Sequence, residues 1–214
     1  MNWKTKPTDR FLLRFIKTRI SAPISTLVVQ HVPTMKPDFI TFLASGIGIC
    51  GGLAFGIGMA WLGGLLAAVA QILDGVDGQV ARLTCKESAE GAFLDSVLDR
   101  YMDFSLLFGI LLHCLRFSAL APALLILIGC LATVGASQIS YATARAASLQ
   151  LDYSRPEYAG KGTRTTVIVI CGLLTPLWIH FPLMALIYLA VHPNIAMIAS
   201  LMRLKRHDMV MKKQ

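Results

Sequence analysis

The chain consists of long apolar stretches separated by short polar junctions. A stretch of about twenty apolar residues has the length that a helix needs to cross a bilayer. Six spans are predicted, at residues 38–58, 60–81, 91–113, 119–143, 165–180 and 182–202. The pattern therefore predicts an all-α integral membrane protein, with one six-helix domain over 37–204 between an N-terminal segment, 1–36, and a tail, 205–214.

Before the first span, residues 8–22 have the pattern of an amphipathic helix. Arg10, Arg14 and Lys17 fall on one face, and the apolar residues fall broadly opposite. A helix of this kind lies in the membrane interface. Pro23 is expected to end or kink it. A disordered basic tail is the alternative interpretation of the same residues.

The basic residues are distributed unevenly along this pattern. The net charge is +8, and 18 of the 20 lysines and arginines precede the first span, lie at alternate junctions or lie in the tail. Arg116 is at an opposite junction and Arg100 is inside a span. The positive-inside tendency predicts a multi-pass protein of the cytoplasmic membrane, with both termini facing the cytoplasm. The charge thus indicates orientation in the bilayer, and no nucleic-acid partner is expected.

Four carboxylates interrupt the second and third spans. Asp74 and Asp77 are at i, i+3, and Asp95 and Asp99 are at i, i+4, so each pair shares a helix face. Counted outwards from the polar turn 84–90, the two pairs reach matched heights on antiparallel helices. We expect the four carboxylates to converge on the cytoplasmic side.

Carboxylates in such a place need a compensating partner. One carboxylate at mid-bilayer costs about 2.5 to 3.5 kcal/mol on insertion scales. The group must therefore be shallow, hydrated or neutralised by a cation. An all-oxygen set favours Mg²⁺ or Mn²⁺, whereas Zn²⁺ favours nitrogen and sulfur ligands.

The residues around the carboxylates are small or basic. Gly78 and Ala81 lie beside the first pair, and Gly91 is four residues before Asp95, which leaves space next to a metal. Helix packing is the alternative use of such small residues. Arg82 suits a phosphate, although an arginine that reaches to the interface has the same position.

Two other features of the spans are interpreted structurally. Arg100 is expected to be a counter-charge, and Asp103 to leave the carboxylate group and to pair with Arg100 or to be hydrated. The first span has small residues every fourth position, which predicts close helix packing within the chain or a homodimer interface. They are Ala44, Gly48, Gly52 and Gly56.

Eight of these positions, with their spacing, resemble the signature of the CDP-alcohol phosphatidyltransferases. They are Asp74, Asp77, Gly78, Ala81, Arg82, Gly91, Asp95 and Asp99. The resemblance implies a membrane enzyme, usually a homodimer, with two divalent ions and a CDP-alcohol donor. The resemblance also implies that Asp74, Asp77, Asp95 and Asp99 hold the metals. Asp99 would in addition be the catalytic base.

The resemblance also implies where the substrates bind. Gly78, Ala81 and Gly91 border the cytidine, while Arg82 meets the donor phosphates and steadies charge in the reaction. Pro37, Asp38 and Thr41 resemble the entry to the first span in the branch of phosphatidylinositol phosphate synthases and di-inositol phosphate phosphate synthases. The donor-binding positions expected are therefore Asp38, Thr41, Gly78, Ala81, Arg82 and Gly91.

That branch holds an acceptor phosphate with basic residues. Lys161 and Arg164 occupy the place of an Arg-x-x-Arg pair, and Arg145 lies in the similar end of span four. These residues are expected to bind an acceptor such as inositol phosphate. Lys161 stands in place of the first arginine, and a lysine cannot donate the two parallel hydrogen bonds that a guanidinium donates to a phosphate.

A cation- or proton-coupled transporter is the alternative of a different class, since transporters also carry carboxylates within the membrane. No inverted repeat of the kind found in such carriers is visible in the sequence. A catalytically silent scaffold with this fold is disfavoured by the complete set of eight positions.

Overall fold

A computed structural model describes residues 11–151, 153 and 160–211. Regular structure in these residues is helical. The helices are α1 (Phe11–Ile16), α2 (Ala22–His31), α3 (Pro37–Gly56), α4 (Ala60–Leu83), α5 (Ala89–Phe117), α6 (Pro122–Ser148), α7 (Lys161–Leu173) and α8 (Phe181–Met211). The start of the predicted N-terminal helix at residues 8–10, Arg155 and residues 212–214 of the tail lie outside the described residues.

The N-terminal helix is longer than predicted. A π-helical turn, Lys17–Ser21, joins α1 to α2, and the helix runs on to His31. Of the two alternatives expected for Pro23, an end or a kink of the helix, the end is wrong. Pro23 lies in the first turn of α2, where its missing N–H costs little. Ser21 and Ser25 are buried against α4, so the segment is fastened to the domain.

The first of the long helices packs closely on α4 and α5. Its small residues face α5: a side chain at Gly48 would meet Met102, and one at Gly52 would meet Ser105. The close-packing use predicted for these small residues is therefore confirmed for this contact. The two backbones approach because both helices have a glycine there, Gly52 facing Gly109.

Four described helices, α3, α4, α6 and the part of α8 over Phe181–Leu204, are long and apolar enough to cross a membrane. Helix α5 has 29 residues but carries several charges, and α7 has 13 residues. The predicted fifth span is wrong at its C-terminal end, because α7 stops at Leu173 and turns follow before α8. The protein is a multi-pass helical membrane protein in which α3, α4, α5 and α7 surround the carboxylates.

Candidate active site

The carboxylates converge because α4 and α5 are joined by a short turn and both pack against α3. Helix α4 ends at Leu83, and α5 is capped by Ser88, whose Oγ accepts a hydrogen bond from the Gly91 N–H at 3.0 Å. Asp74, Asp95 and Asp99 each offer a carboxylate oxygen within 4.8 Å of the others. The structure thus brings the predicted pairs to one place.

The fourth carboxylate, Asp77, is buried and held from two sides. The Thr41 hydroxyl of α3 donates to its Oδ2 at 2.7 Å, and the Gly78 N–H donates to its Oδ1. These bonds fix the orientation of a carboxylate that is only 7% exposed. Helix α3 is therefore part of the site, and not only of the scaffold.

A cleft opens beside Asp77 and Asp95, between the start of α3, the end of α4 and the start of α5. It has about 560 Å³ of empty space, counted to its open mouth. All six residues expected to bind the donor line it, namely Asp38, Thr41, Gly78, Ala81, Arg82 and Gly91. A side chain at Gly91 would come within 3.3 Å of Asp38 Oδ1, so the glycine keeps this wall open.

The opposite side of the carboxylate group is closed by α7. The Lys161 Nζ donates to Asp74 Oδ1 at 2.6 Å and also to Asp99 Oδ1. In the sequence analysis, Lys161 is expected to bind the acceptor. The structure instead places its ammonium among the carboxylates, because it is the first residue of a helix packed on α4.

A second group of ion pairs lies deeper, around Asp103. Arg164 is 3% exposed and donates to Asp103 Oδ2 at 2.8 Å. Arg100 Nη1 lies 3.3 Å from the same oxygen and also donates to the Ser140 hydroxyl of α6. The predicted pairing of Asp103 with Arg100 is confirmed, and Arg164 is a second partner that the sequence did not indicate.

The three residues expected to bind the acceptor are therefore in different settings. Lys161 contacts the carboxylates, Arg164 is buried with Asp103, and Arg145 is exposed at the end of α6, where it lies 3.5 Å from the Ser148 hydroxyl. The structure shows no shared basic pocket in the contacts of these described residues. Their role in acceptor binding stays a prediction.

Comparison with known proteins identifies the family. Residues 34–203 match the CDP-alcohol phosphatidyltransferase family. The chain belongs to this family. The match covers the carboxylate hairpin and the helices that surround it, and it gives no support to the transporter alternative.

Individual CDP-alcohol phosphatidyltransferases resemble the chain to different extents. An archaetidylinositol phosphate synthase of Pyrococcus horikoshii is 31% identical over 154 residues, 72% of this chain and 77% of its own length. A bifunctional IPC transferase and DIPP synthase of Thermococcus kodakarensis is 34% identical over 137 residues, 64% of this chain. The chain spans only 30% of that relative's length.

A solved CDP-alcohol phosphatidyltransferase shares the fold. The phosphatidylinositol phosphate synthase of Mycobacterium tuberculosis, crystallised with manganese and citrate, superposes with a TM-score of 0.73 at 23% identity. The superposition covers 86% of this chain and 88% of that one. The helical arrangement described above is therefore shared with that synthase.

The residues present fit a divalent ion of the kind bound by that structure. Three carboxylates lie within sharing distance, and the donor atoms are all hard oxygens. The ammonium of Lys161 in contact with Asp74 and Asp99 shows that the group accepts positive charge. The carboxylate group therefore suits a divalent ion both in its negative charge and in its oxygen donor atoms.

Some residues of the cleft were missed by sequence reasoning. Lys86, Glu87 and Ser88 line it together with the predicted residues. The sequence analysis treated 84–90 only as a connection between helices. The signal for these turn residues is their position, because a turn that directly joins the two helices bearing the carboxylate pairs faces the same cleft.

Proposed function

We propose that the chain is a membrane CDP-alcohol phosphatidyltransferase. It transfers a substituted phosphate from a CDP-linked alcohol, either CDP-diacylglycerol or a CDP-polyol, to an acceptor hydroxyl and releases CMP, in phospholipid or polyol-phosphodiester synthesis. One observation carries the proposal: three carboxylates, Asp74, Asp95 and Asp99, lie within 4.8 Å of one another beside a cleft that Asp77 and all six predicted donor-binding residues line. Family membership supports the reaction class.

In this proposal Asp74, Asp77, Asp95 and Asp99 hold Mg²⁺ or Mn²⁺, with two ions expected from the resemblance. When bound, the ions neutralise the donor diphosphate and the departing CMP, which is the principal requirement of phosphoryl transfer. The hydrogen bond from Thr41 keeps Asp77 turned towards the cleft. The protein's own contribution is a preorganised set of oxygens.

The donor would lie along the cleft. Gly78, Ala81 and Gly91 leave room for the cytidine, because a larger side chain at Gly91 would meet Asp38 and Ser88. Arg82 lies on the same wall and suits the diphosphate, for which a guanidinium is a two-pronged donor. The cleft opens at the helix ends, where a lipid-linked or polyol-linked donor can enter.

The reaction forms one P–O bond and breaks another. The acceptor hydroxyl oxygen attacks the phosphorus that bears the donor alcohol, and the bond from that phosphorus to CMP breaks. Asp99 takes the hydroxyl proton, since it lies at the boundary between the cleft-lining carboxylates and α7. The products are a phosphodiester and CMP.

The acceptor is proposed to be a phosphorylated polyol such as inositol phosphate. The names of the relatives, archaetidylinositol phosphate synthase and IPC transferase and DIPP synthase, support an inositol-containing product. Arg145, Lys161 and Arg164 are the cations proposed to attract the acceptor phosphate. Of these, Arg145 is exposed in the structure and Arg164 is the most buried.

The membrane arrangement follows from the same residues. We infer six crossings, α3 to α8, because the charges of α5 are met by partners from α6 and α7 instead of lipid. The domain is assigned to 37–204, with 1–36 as an interfacial segment and 205–214 as a basic tail. Both termini and the site face the cytoplasm, as the distribution of lysine and arginine predicts. A homodimer is expected from the resemblance and is tested by cross-linking in the membrane.

The direct test is CMP release by the purified protein in lipid. CDP-diacylglycerol and CDP-inositol are offered with inositol or inositol phosphate, and products are identified by mass spectrometry. CMP and a phosphodiester are expected with one donor and the phosphorylated acceptor. Ion-dependent solute uptake into vesicles without CMP formation would overturn the proposal.

A further inference from the structure

The contacts of Lys161 in the structure are not explained by its proposed role at the acceptor phosphate. Its ammonium contacts Asp74 of α4 and Asp99 of α5, and the distance to Asp74 Oδ1 is 2.6 Å. Both carboxylates belong to the proposed metal site. Lys161 thus bridges α4 and α5 at this site.

The contact has a clear electrostatic cause. Asp74, Asp95 and Asp99 have oxygens within 4.8 Å of one another, and like charges at this distance repel. The compact ammonium offsets part of that charge and holds the two helices together. A divalent ion at the same oxygens would offset more charge, and it would repel the ammonium from them.

We propose that Lys161 is an internal counter-cation that a divalent metal displaces from Asp74 and Asp99. The released ammonium then faces the acceptor side, so that metal binding prepares the site for an anionic acceptor. This inference rests on the proposed function, because it assumes that the carboxylates hold the catalytic metal. It gives Lys161 two successive partners, the carboxylates first and the acceptor phosphate second.

The position of Lys161 allows such a movement. It is the first residue of α7, and the preceding Gly160 has nothing within 4 Å of the place of a side chain. The Lys161 side chain is 21% exposed, so it is not enclosed on every side. A lysine is a compact charge on a flexible stem, whereas an arginine would hold a carboxylate with a rigid fork.

The first test compares Mn²⁺ binding by wild type and Lys161→Met, followed by electron paramagnetic resonance of free Mn²⁺. Removal of the competing charge should tighten Mn²⁺ binding by about tenfold or more. It should also lower the melting temperature of the metal-free protein. Lys36→Met is the matched control, because Lys36 is an exposed lysine directly before α3 and lies outside the ion pairs described for the carboxylates. The control should leave both values unchanged.

The second test uses the wild-type protein, so it tests the displacement of Lys161 even if Lys161→Met does not fold. An amine-reactive reagent is applied with and without Mn²⁺, and labelling of each lysine is measured by mass spectrometry. Labelling of Lys161 should increase several-fold with Mn²⁺, while labelling of Lys36 stays constant.

The outcomes separate this proposal from the proposed function. Mn²⁺ binding that is unchanged or weaker in Lys161→Met, or Lys161 labelling that Mn²⁺ does not change, overturns the displacement while CMP release by wild type upholds the enzyme. Wild type that neither binds Mn²⁺ nor releases CMP overturns the proposed function itself.

Discussion

The two sides of the carboxylate group are built in different ways. On the side of Asp77 and Asp95, an open cleft is lined by small residues and by the capped start of α5. On the side of Asp74 and Asp99, α7 supplies Lys161, and the deeper pair of Arg164 with Asp103 adds further charge. The first side leaves space for a ligand, and the second is filled by the protein's own cations.

In the proposed function, this difference lets the same carboxylate group serve two substrates. The open side suits a donor that brings its own negative charge to the metals and a nucleoside to the cleft. The filled side would supply positive charge to an anionic acceptor, but there the Lys161 ammonium covers the carboxylates of Asp74 and Asp99. The predictions that follow disturb the group as a whole and then each side in turn.

Metal removal should have the largest effect, because both sides depend on the shared carboxylates. Exhaustive chelation with EDTA should reduce CMP release to background, and added Mg²⁺ or Mn²⁺ should restore it. The measurement is CMP formation before and after chelation, with Ca²⁺ as a comparison ion of larger size. Full activity in the chelated protein would contradict the assignment of a metal to the carboxylates.

Asp99→Asn should remove the proposed base where the two sides meet. The amide keeps the shape but accepts no proton, so the rate of CMP release should fall by about 10² to 10⁴. Donor binding, measured by titration with CDP-diacylglycerol, should persist. Ser96→Ala, an exposed change on the same helix, is the control and should have wild-type turnover. Normal turnover of Asp99→Asn would show that another group takes the proton.

Arg164→Ala tests the filled side through stability. It leaves Asp103 buried with one guanidinium fewer, and breaking a buried pair costs about 3 to 5 kcal/mol. The free energy of unfolding, measured by denaturation in detergent micelles, should fall by that order. Arg145→Ala is the matched control, because Arg145 is exposed and its loss should change stability by less than about 0.5 kcal/mol.

Acceptor preference gives the same variant a second measurement. If Arg164 also attracts the acceptor phosphate, Arg164→Ala should lose the preference for inositol phosphate over inositol. An unchanged preference in the folded variant would confine Arg164 to the ion pair with Asp103.

The comparison also explains how much was predictable. The donor side depends on spacing within one hairpin, from Asp74 to Asp99, and helix geometry converts that spacing directly into position. Its hairpin residues were therefore predicted from the sequence, apart from the turn residues Lys86, Glu87 and Ser88, whereas Asp38 and Thr41 of α3 were expected only from the family resemblance. The helix bounds followed from the apolar pattern to within a few residues, except near Pro23, after Leu173 and at the end of α8, which continues to Met211.

The filled side was not predictable in the same way. Lys161 lies 87 residues from Asp74 along the chain, and Arg164 lies 61 residues from Asp103. No periodicity connects such positions, because their contact depends on how α7 packs against α4 and α5. Sequence reasoning recognised the basic residues from a resemblance, but it could not decide whether each faces a substrate or a carboxylate.

Gly78→Ala tests the open side without disturbing the fold. Only the Arg82 guanidinium lies within 4 Å of the added methyl, so the helix should tolerate it and even gain up to about 1 kcal/mol. The methyl enters the donor cleft, and the KM for the donor should rise by about tenfold. Gly46→Ala is the control, because nothing lies within 4 Å of its added methyl. An unchanged donor KM would show that the cytidine does not lie against Gly78.

Thr41→Val should have the smallest effect, since it removes a single hydrogen bond from the open side. Valine keeps the shape of threonine, but Asp77 Oδ2 loses a donor at 2.7 Å, which corresponds to about 1 kcal/mol. Mn²⁺ affinity should weaken a few-fold, because Asp77 is less well oriented. Thr133→Val is the control, since the Thr133 hydroxyl bonds only the Gly129 carbonyl of its own helix in the contacts described. An equal loss in both variants would mean that the bond supports the helices, whereas a loss confined to Thr41→Val would establish that α3 orients a metal ligand.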